Sequence, residues 1–204
     1  MSETKESLIT SSIRKLFLKF IAQIVGAECL VLILEFLEKN FIIHRDITLD
    51  SLSISRSGYI KLIDFRLATF NTGIVNYPCG HHEYWAPEMC REEVYSHSVD
   101  VWAAGVCLYF LLCGSFPYLY NAKNLDEYKK SISCDWEIRV TSGSENTDLA
   151  DLIGKMLVKK TNIRIGCNLN GISDIKKHVC FTNNRWKEVE TQKLPSPLRD
   201  SELY

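Results

Sequence analysis

Two short segments of alternating apolar residues, joined by a tight turn, limit the fold of this chain more than any other feature. Residues 52–55 and 59–63 alternate with period two on either side of Arg56-Ser57-Gly58, a pattern that predicts a β-hairpin. Residues 41–43 predict one further short strand, and strand signals all but vanish after the hairpin. Because the remaining chain must form its core from helices, the expected fold class is mainly α with a small β-hairpin.

Apolar residues at helical spacing predict how the rest of the chain is organised. They recur from residue 9 to residue 37, and residues 100–113 are apolar on nearly every side, so that this helix should lie at the centre of the core. Residues 187–204 contain two prolines and are interpreted as a surface tail. Amphipathic patterns predict three further helices, at residues 124–132, 147–159 and 171–178.

Composition excludes several classes of protein. The 204 residues are 46% hydrophobic and 24% charged, which suits one globular domain. A net charge of -1 gives no electrostatic attraction to nucleic acid or to an anionic membrane. The first residues lack a secretory signal, and the apolar run at 101–113 is too short to span a bilayer. Eight cysteines without C-x-x-C pairs favour reduced thiols over a zinc site or disulfides, so we expect a cytoplasmic protein, with the nucleus as an alternative.

Charged residues bracket the predicted hairpin. His44-Arg45-Asp46 precedes it and Asp64-Phe65-Arg66 follows it, so the turn should bring the two aspartates together. Paired carboxylates suit a site for a metal ion and phosphate, because divalent cations prefer oxygen ligands. The alternative is that each aspartate only caps a turn. Residues 65–88, which follow, show no periodicity and predict a long loop of the kind that often carries function.

The order of these motifs resembles the C-terminal lobe of a eukaryotic protein kinase. Residues 80–88 read GHHEYWAPE, similar to the GTPEYLAPE of the AGC group, and NGISDIKKH at 170–178 is similar to a helix of the cAMP-dependent protein kinase catalytic subunit. The resemblance implies a kinase C-lobe over residues 29–186, after a divergent segment at 1–28. It also implies a transferase that moves phosphate from ATP, with Mg²⁺, to serine or threonine of a protein substrate.

The resemblance assigns roles to individual residues of the site. Asp46 matches the aspartate that accepts the proton of the substrate hydroxyl, and Asp64 matches a ligand of Mg²⁺. Arg45 matches the arginine that pairs with a phosphorylated activation loop, and Tyr77 stands where the family has the phosphorylated threonine. Asp50 matches an acidic residue that suits a basic substrate.

The resemblance assigns other residues to the scaffold. Glu88 and Arg164 match a buried ion pair between the activation segment and the last helices. Asp100 matches an anchor for the backbone of the catalytic loop, while His44 and Phe65 match members of an apolar spine.

Several residues depart from the family pattern at positions that take part in catalysis in the family. Thr48 replaces a lysine that neutralises the transferring phosphate, and Ser51 replaces the asparagine that holds a second Mg²⁺, both cofactor-binding positions in the family. Arg66 replaces the glycine after Asp64, where its guanidinium either competes with Mg²⁺ or partly replaces the lost lysine. His81 replaces a threonine that bridges to the catalytic aspartate.

The sequence also lacks the family's phosphate clamp before residue 40, since no G-x-G-x-x-G precedes a V-A-I-K strand there. We therefore expect a truncated chain with the N-lobe absent and weak binding of Mg²⁺ and ATP. The expected function is that of a serine/threonine kinase-family chain that is weakly active or inactive alone. The alternative is a pseudokinase module that docks a regulatory-subunit-like protein through its helical lobe.

Overall fold

The computed structural model describes residues 25–118, 125–133, 147–182 and 185–193. Its helices pack around one that is almost wholly buried, Ser98–Cys113. Trp102 on one face of this helix and Ala104 and Cys107 on the opposite face are all inaccessible to solvent, as its uniformly apolar sequence predicts. In chain order the helices are α1 Val25–Lys39, α2 Pro87–Cys90, α3 Ser98–Cys113, α4 Leu125–Ser133, α5 Thr147–Met156, α6 Ile172–Lys176 and α7 Trp186–Glu190.

Two small antiparallel sheets flank the start of the domain. Strands β2 (Leu52–Ile54) and β3 (Ile60–Leu62) pair with Ser53 opposite Lys61, which confirms the predicted hairpin. Strand β1 (Ile42–Ile43) was also predicted, but its partner β4 (Thr69–Phe70) was not. The described part of the chain is thus mainly helical with a little antiparallel sheet.

The segment predicted as a loop over residues 65–88 is more regular than expected. It contains a 3₁₀ turn at Phe65–Leu67, strand β4, and a second 3₁₀ turn at His82–Tyr84 before α2 begins. Each piece is too short to produce a periodic pattern, so the sequence carried no signal for it.

Two structured elements cross or lie within the segments expected at the ends of the domain. Helix α1 includes Ala27 and Glu28, which are both buried, so it extends across the boundary predicted at residue 29. Within the predicted surface tail, Val189 of α7 is buried against Tyr59 and Ile60 of the hairpin. Burial of the Val189 side chain removes apolar surface from water. In the sequence, this position is only one valine among polar residues. Residues 1–24 and 194–204, including the earlier part of the predicted first helix, lie outside the described residues.

No helix among the described residues is long and apolar enough to cross a membrane. Within the same residues, the cysteines occur as free thiols and no three potential metal-binding side chains of the His, Cys, Asp and Glu types cluster together.

Candidate functional site

A buried carboxylate fixes the turn that carries the candidate catalytic residues. Asp100, near the start of α3, accepts hydrogen bonds from the backbone N–H groups of His44 (2.7 Å) and Arg45 (2.9 Å). Arg45 has a positive φ of 67°, a strained conformation that needs such support. Burial raises the pKa of Asp100 to about 7, against the opposing effect of the two N–H donors. These two bonds fix the backbone immediately before Asp46.

The Asp46 carboxylate is held by His81 of the activation segment. Its Oδ1 accepts the backbone N–H of His81 at 3.0 Å and lies 2.8 Å from Nδ1 of the same imidazole. This close approach depends on Gly80, which has a φ of +79°. A Cβ at Gly80 would lie 2.6 Å from Asp46 Oδ1, so a larger residue would push the two segments apart.

The Asp64 carboxylate is occupied by its neighbour Arg66. The Arg66 Nε donates to Oδ1 at 2.7 Å and Nη2 donates to Oδ2 at 2.6 Å, a bidentate pair. Asp64 adopts a left-handed conformation with φ 65°, which turns the carboxylate back over the following 3₁₀ turn. The Arg66 hydrogen bonds lower the pKa of Asp64 to about 2, so the pair stays charged at any ordinary pH.

Thr48 and Ser51 are buried and bonded to each other. The Thr48 N–H donates to Ser51 Oγ (2.9 Å), the Ser51 N–H donates to Thr48 Oγ1 (3.1 Å), and the Ser51 hydroxyl donates to the Thr48 carbonyl (3.0 Å). The two side chains therefore close the catalytic loop, and each hydroxyl satisfies a buried backbone group. The expectation that they line a cofactor site stays a prediction.

The Arg45 side chain joins the catalytic loop to the activation segment. Its Nε donates to the Leu67 carbonyl at 2.7 Å, and its guanidinium lies over the Tyr77 ring at 4.8 Å. The Tyr95 hydroxyl donates to the Tyr77 carbonyl at 2.7 Å and so fixes the backbone at this position. Tyr77 is 56% exposed, and it meets Arg45 through the face of its ring.

Glu88 and Arg164 form a fully buried ion pair between α2 and the segment after α5. The Arg164 Nη1 and Nη2 donate to the two Glu88 oxygens at 2.7 and 3.0 Å. The Ser98 hydroxyl also donates to Glu88, and Arg164 donates to the carbonyls of Val158 and Ser98. Nearly every polar atom of the pair thus has a partner, which a buried ion pair requires.

The remaining predicted residues differ in how far they are enclosed. His44 is buried and its pKa is lowered by desolvation, but Phe65, which meets it edge-on at 4.9 Å, is 46% exposed. The expected apolar spine therefore ends at a residue that is open to solvent. Asp50 lies exposed on the surface, near the candidate site.

A comparison with known families agrees with the motif order. It also agrees with the contacts described above for Asp46, Asp64, Asp100 and Glu88. The model of the protein kinase domain matches residues 9–181. The chain belongs to the protein kinase family. Its relatives include a cGMP-dependent protein kinase of Toxoplasma gondii, 32% identical over 83% of this chain, and the cAMP-dependent protein kinase catalytic subunit 3 of Drosophila melanogaster, 33% identical over 88%. Mouse cAMP-dependent protein kinase catalytic subunit PRKX is 32% identical over 87% of the chain.

These relatives place the kinase chain in the AGC group. Its matched region covers 17% of the Toxoplasma protein, 29% of the Drosophila protein and 49% of the mouse protein, so the chain spans less than half the length of each. The activity, substrates and partners of those whole proteins are considered below as proposals only.

The residues at the family's Mg²⁺ positions are engaged with neighbouring side chains in the described part of this kinase chain. In the family pattern the ion is held at the positions of Asp64 and Ser51, but here Arg66 takes both Asp64 oxygens and Ser51 bonds to Thr48. Arg66 brings a positive charge to the carboxylate that the ion would need.

Two contacts beside the candidate site were missed by sequence reasoning. Trp85, which stands at the leucine of the AGC motif, donates from Nε1 to the Cys79 carbonyl at 2.7 Å, and the Tyr128 hydroxyl donates to the Trp85 carbonyl at 2.9 Å. These bonds hold the surface beside the candidate site, and only the size of the tryptophan gave a signal. The pairing of Thr48 with Ser51 had a clearer signal, since a three-residue spacing of hydroxyl side chains favours reciprocal bonds to the backbone.

Proposed function

We propose that this chain is a serine/threonine kinase-family domain that transfers phosphate from ATP to protein hydroxyls slowly and binds Mg²⁺–ATP weakly. The observation that carries the proposal is the bidentate pair of Asp64 and Arg66. Phosphate transfer in kinases depends on positive charge placed around the phosphates and on the alignment of the acceptor hydroxyl. Here the carboxylate that would anchor the metal is neutralised within the chain.

The engaged Thr48 and Ser51 support the same proposal. A lysine at the position of Thr48 would place a cation beside the transferring group, and removing one such donor typically lowers a rate by about 10²–10³. Thr48 is buried and bonded to Ser51, and its uncharged side chain does not take the place of that cation. The acceptor hydroxyl still has a group that can accept its proton, because the Asp46 carboxylate lies at the candidate site beside His81.

Restoring the family residues tests the proposal. The parent and the variant Thr48→Lys/Ser51→Asn/Arg66→Gly are incubated with radiolabelled ATP, Mg²⁺ and a basic peptide that contains serine and threonine. We expect slow transfer by the parent and at least about a 10²-fold faster rate for the variant. A parent rate within the usual range for kinases, about 1–100 s⁻¹, would contradict the proposal.

The matched control is Lys61→Ala, which changes an exposed lysine on β3 away from the engaged carboxylates. Its rate should equal that of the parent. A variant that is folded by its melting curve but transfers no faster than the parent would show that the three substitutions do not limit the rate.

A second candidate function is a pseudokinase module that docks a protein partner, with a regulatory-subunit-like protein as the partner class. It is favoured by a contrast within the molecule. The scaffold contacts of Glu88 with Arg164 and of Asp100 with the catalytic loop are complete, whereas the side chains at the metal site are engaged with their own neighbours. Calorimetry with the regulatory subunit of a cAMP-dependent kinase tests it: binding that survives Asp46→Asn supports docking, and absence of binding rejects this partner class.

A further inference from the structure

We propose that this chain selects protein substrates with one apolar and one basic side chain close to the hydroxyl that receives phosphate. The apolar side chain packs on a cluster of three aromatic rings, those of Tyr84, Phe110 and Phe116, and the basic side chain faces Asp50. The inference rests on the proposed function, since it names the substrate class of the same site.

The end of α3 brings two rings of the aromatic cluster together. Gly114 caps this helix with a φ of 74°, and its N–H donates to the Phe110 carbonyl at 2.7 Å. The chain turns back at this cap, so that Phe116 packs against Phe110 with the ring centroids 4.8 Å apart. Phe116 also meets the Tyr84 ring edge-on at 5.3 Å. Both distances are typical of stabilising aromatic pairs, so the cluster is formed before a substrate arrives.

The aromatic cluster is only partly covered by the rest of the protein. Tyr84 and Phe116 pack against the hydrophobic core, yet all three residues of the cluster are only half-buried. Tyr109, the neighbour of Phe110 in α3, is buried. An apolar side chain that covers the remaining surface of the cluster removes it from water, which favours binding.

The aromatic cluster adjoins the catalytic loop. The Tyr84 hydroxyl lies 3.5 Å from the backbone nitrogen of Leu49, the residue before the exposed Asp50. Burial raises the pKa of Tyr84, and the negative charges of Asp50 and Glu83 act in the same direction. Both carboxylates therefore lie near this ring.

The same two carboxylates also lie near the residue that contacts Asp46. The hydrogen bond to Asp46 raises the pKa of His81, and the charges of Glu83 and Asp50 act in the same direction. A peptide whose hydroxyl reaches Asp46 thus meets acidic groups and the aromatic cluster on one side of the catalytic loop.

The two kinds of surface favour different side chains. Asp50 is exposed and complements a lysine or arginine. A second arginine placed on the aromatic cluster would meet the face of a ring, and at exposed sites that contact is weaker than the burial of a whole apolar side chain. We therefore expect one basic residue and one apolar residue in the substrate, and not a pair of basic residues.

The test is the binding of fluorescein-labelled serine peptides to the full chain, followed by fluorescence anisotropy, which needs no ATP. In each peptide one arginine and one variable residue flank the serine, and both are moved through the four positions on either side. The variable residue is phenylalanine, glutamine or a second arginine. At one or two positions, phenylalanine should lower the Kd at least about 10-fold relative to glutamine, and below the value for a second arginine.

Substitutions in the chain test each half of the inference. Phe110→Leu should keep the preference for phenylalanine, whereas Phe110→Glu should replace it with a preference for the second arginine. Asp50→Asn should abolish the gain in binding that the first arginine gives. The matched control is Phe41→Ala, which removes a 70% exposed phenylalanine outside the cluster and should bind peptides like the parent. Melting curves establish that each variant is folded.

Three results would overturn the inference: equal Kd values of the parent for phenylalanine and glutamine peptides, a preference of the parent for the second arginine, or an unchanged preference in Phe110→Glu. Transfer from radiolabelled ATP to the same peptides separates this inference from the proposed function. Slow transfer without any preference would leave the proposed function standing. The predicted preference without any transfer would support the peptide surface and overturn slow transfer.

Discussion

Arg66 binds both carboxylate oxygens of Asp64, at 2.7 and 2.6 Å, across a single intervening residue. The left-handed backbone of Asp64 brings its side chain over the Arg66 N–H and guanidinium. Of the two roles that the sequence allowed for Arg66, this contact favours competition with a metal ion. Arg66 thus neutralises the charge of the Asp64 carboxylate within this kinase-family chain.

The first prediction concerns the acidity of Asp64. Its pKa should be about 2 in the parent and should return towards its ordinary value of 3.8 in Arg66→Gly, because the hydrogen bonds that hold it low are removed. A folded-state pKa below the unfolded value stabilises the fold above pH 4, and this contribution is lost as pH falls towards 2. Carbon-detected titration of the carboxylate measures the pKa, and an equal value in both proteins would show that the pair does not form in solution.

The second prediction is that the Tyr77 hydroxyl is not an activating switch. Tyr77 meets Arg45 through its ring face, and Tyr95 binds its backbone carbonyl. The Tyr77 hydroxyl also interacts with Arg45 and raises the pKa of the arginine, but a phenyl ring keeps the ring-face contact without it. Tyr77→Phe should therefore melt and transfer phosphate like the parent. Tyr77→Ala is the informative control, since it removes the cation–π contact and should cost about 0.5–1 kcal/mol of stability. A large loss of activity in Tyr77→Phe would instead show that the hydroxyl matters.

The third prediction concerns the buried pair of Glu88 and Arg164. Arg164→Ala leaves a buried carboxylate without its main partner and should cost about 3–5 kcal/mol, a large part of the 5–15 kcal/mol typical of a whole domain. We expect low soluble yield and aggregation. Asp46→Ala, at a partly exposed position, should melt close to the parent. If Arg164→Ala melts like the parent, the pair is not formed; if Asp46→Ala unfolds, Asp46 serves the fold.

The fourth prediction concerns the closure of the catalytic loop. Ser51→Ala leaves the buried N–H of Thr48 without its acceptor and should lower stability by about 1–3 kcal/mol. Thr48→Val removes the acceptor of the Ser51 N–H and should act in the same direction. The two effects should be less than additive, because the hydroxyls support one turn. Chemical denaturation of the single and double variants measures this, and strictly additive losses would argue against reciprocal bonding.

Local patterns predicted the elements that depend on local sequence. The hairpin of β2 and β3 follows from period two around a turn, and the burial of α3 follows from its uniform apolarity. Strand β4 was missed because two residues have no period and pair only with the distant β1. Helix α7 was missed because its burial depends on one valine meeting the hairpin.

The sequence predicted only part of the candidate site, because contacts between side chains are not evident from local patterns. The residues around Asp46 and Asp64 were found from motif order, and the pairing of Asp64 with Arg66 was one of two outcomes that their spacing allowed. The hydrogen bonds between Thr48 and Ser51 were not expected. A match to a family position indicates where a residue lies in the fold, but not which partner its side chain binds. That partner depends on which backbone groups are buried nearby.

The most direct test of this account is the melting temperature of the parent and of Arg66→Gly with ATP, in Mg²⁺ and in excess chelator. A ligand at 100 times its Kd stabilises a protein by about 2.7 kcal/mol, which is a shift of several degrees. The account predicts almost no shift for the parent at millimolar Mg²⁺–ATP, and a larger shift for Arg66→Gly that the chelator abolishes. A shift of several degrees in the parent that disappears with chelator would show that Mg²⁺ binds despite Arg66, and would contradict the account.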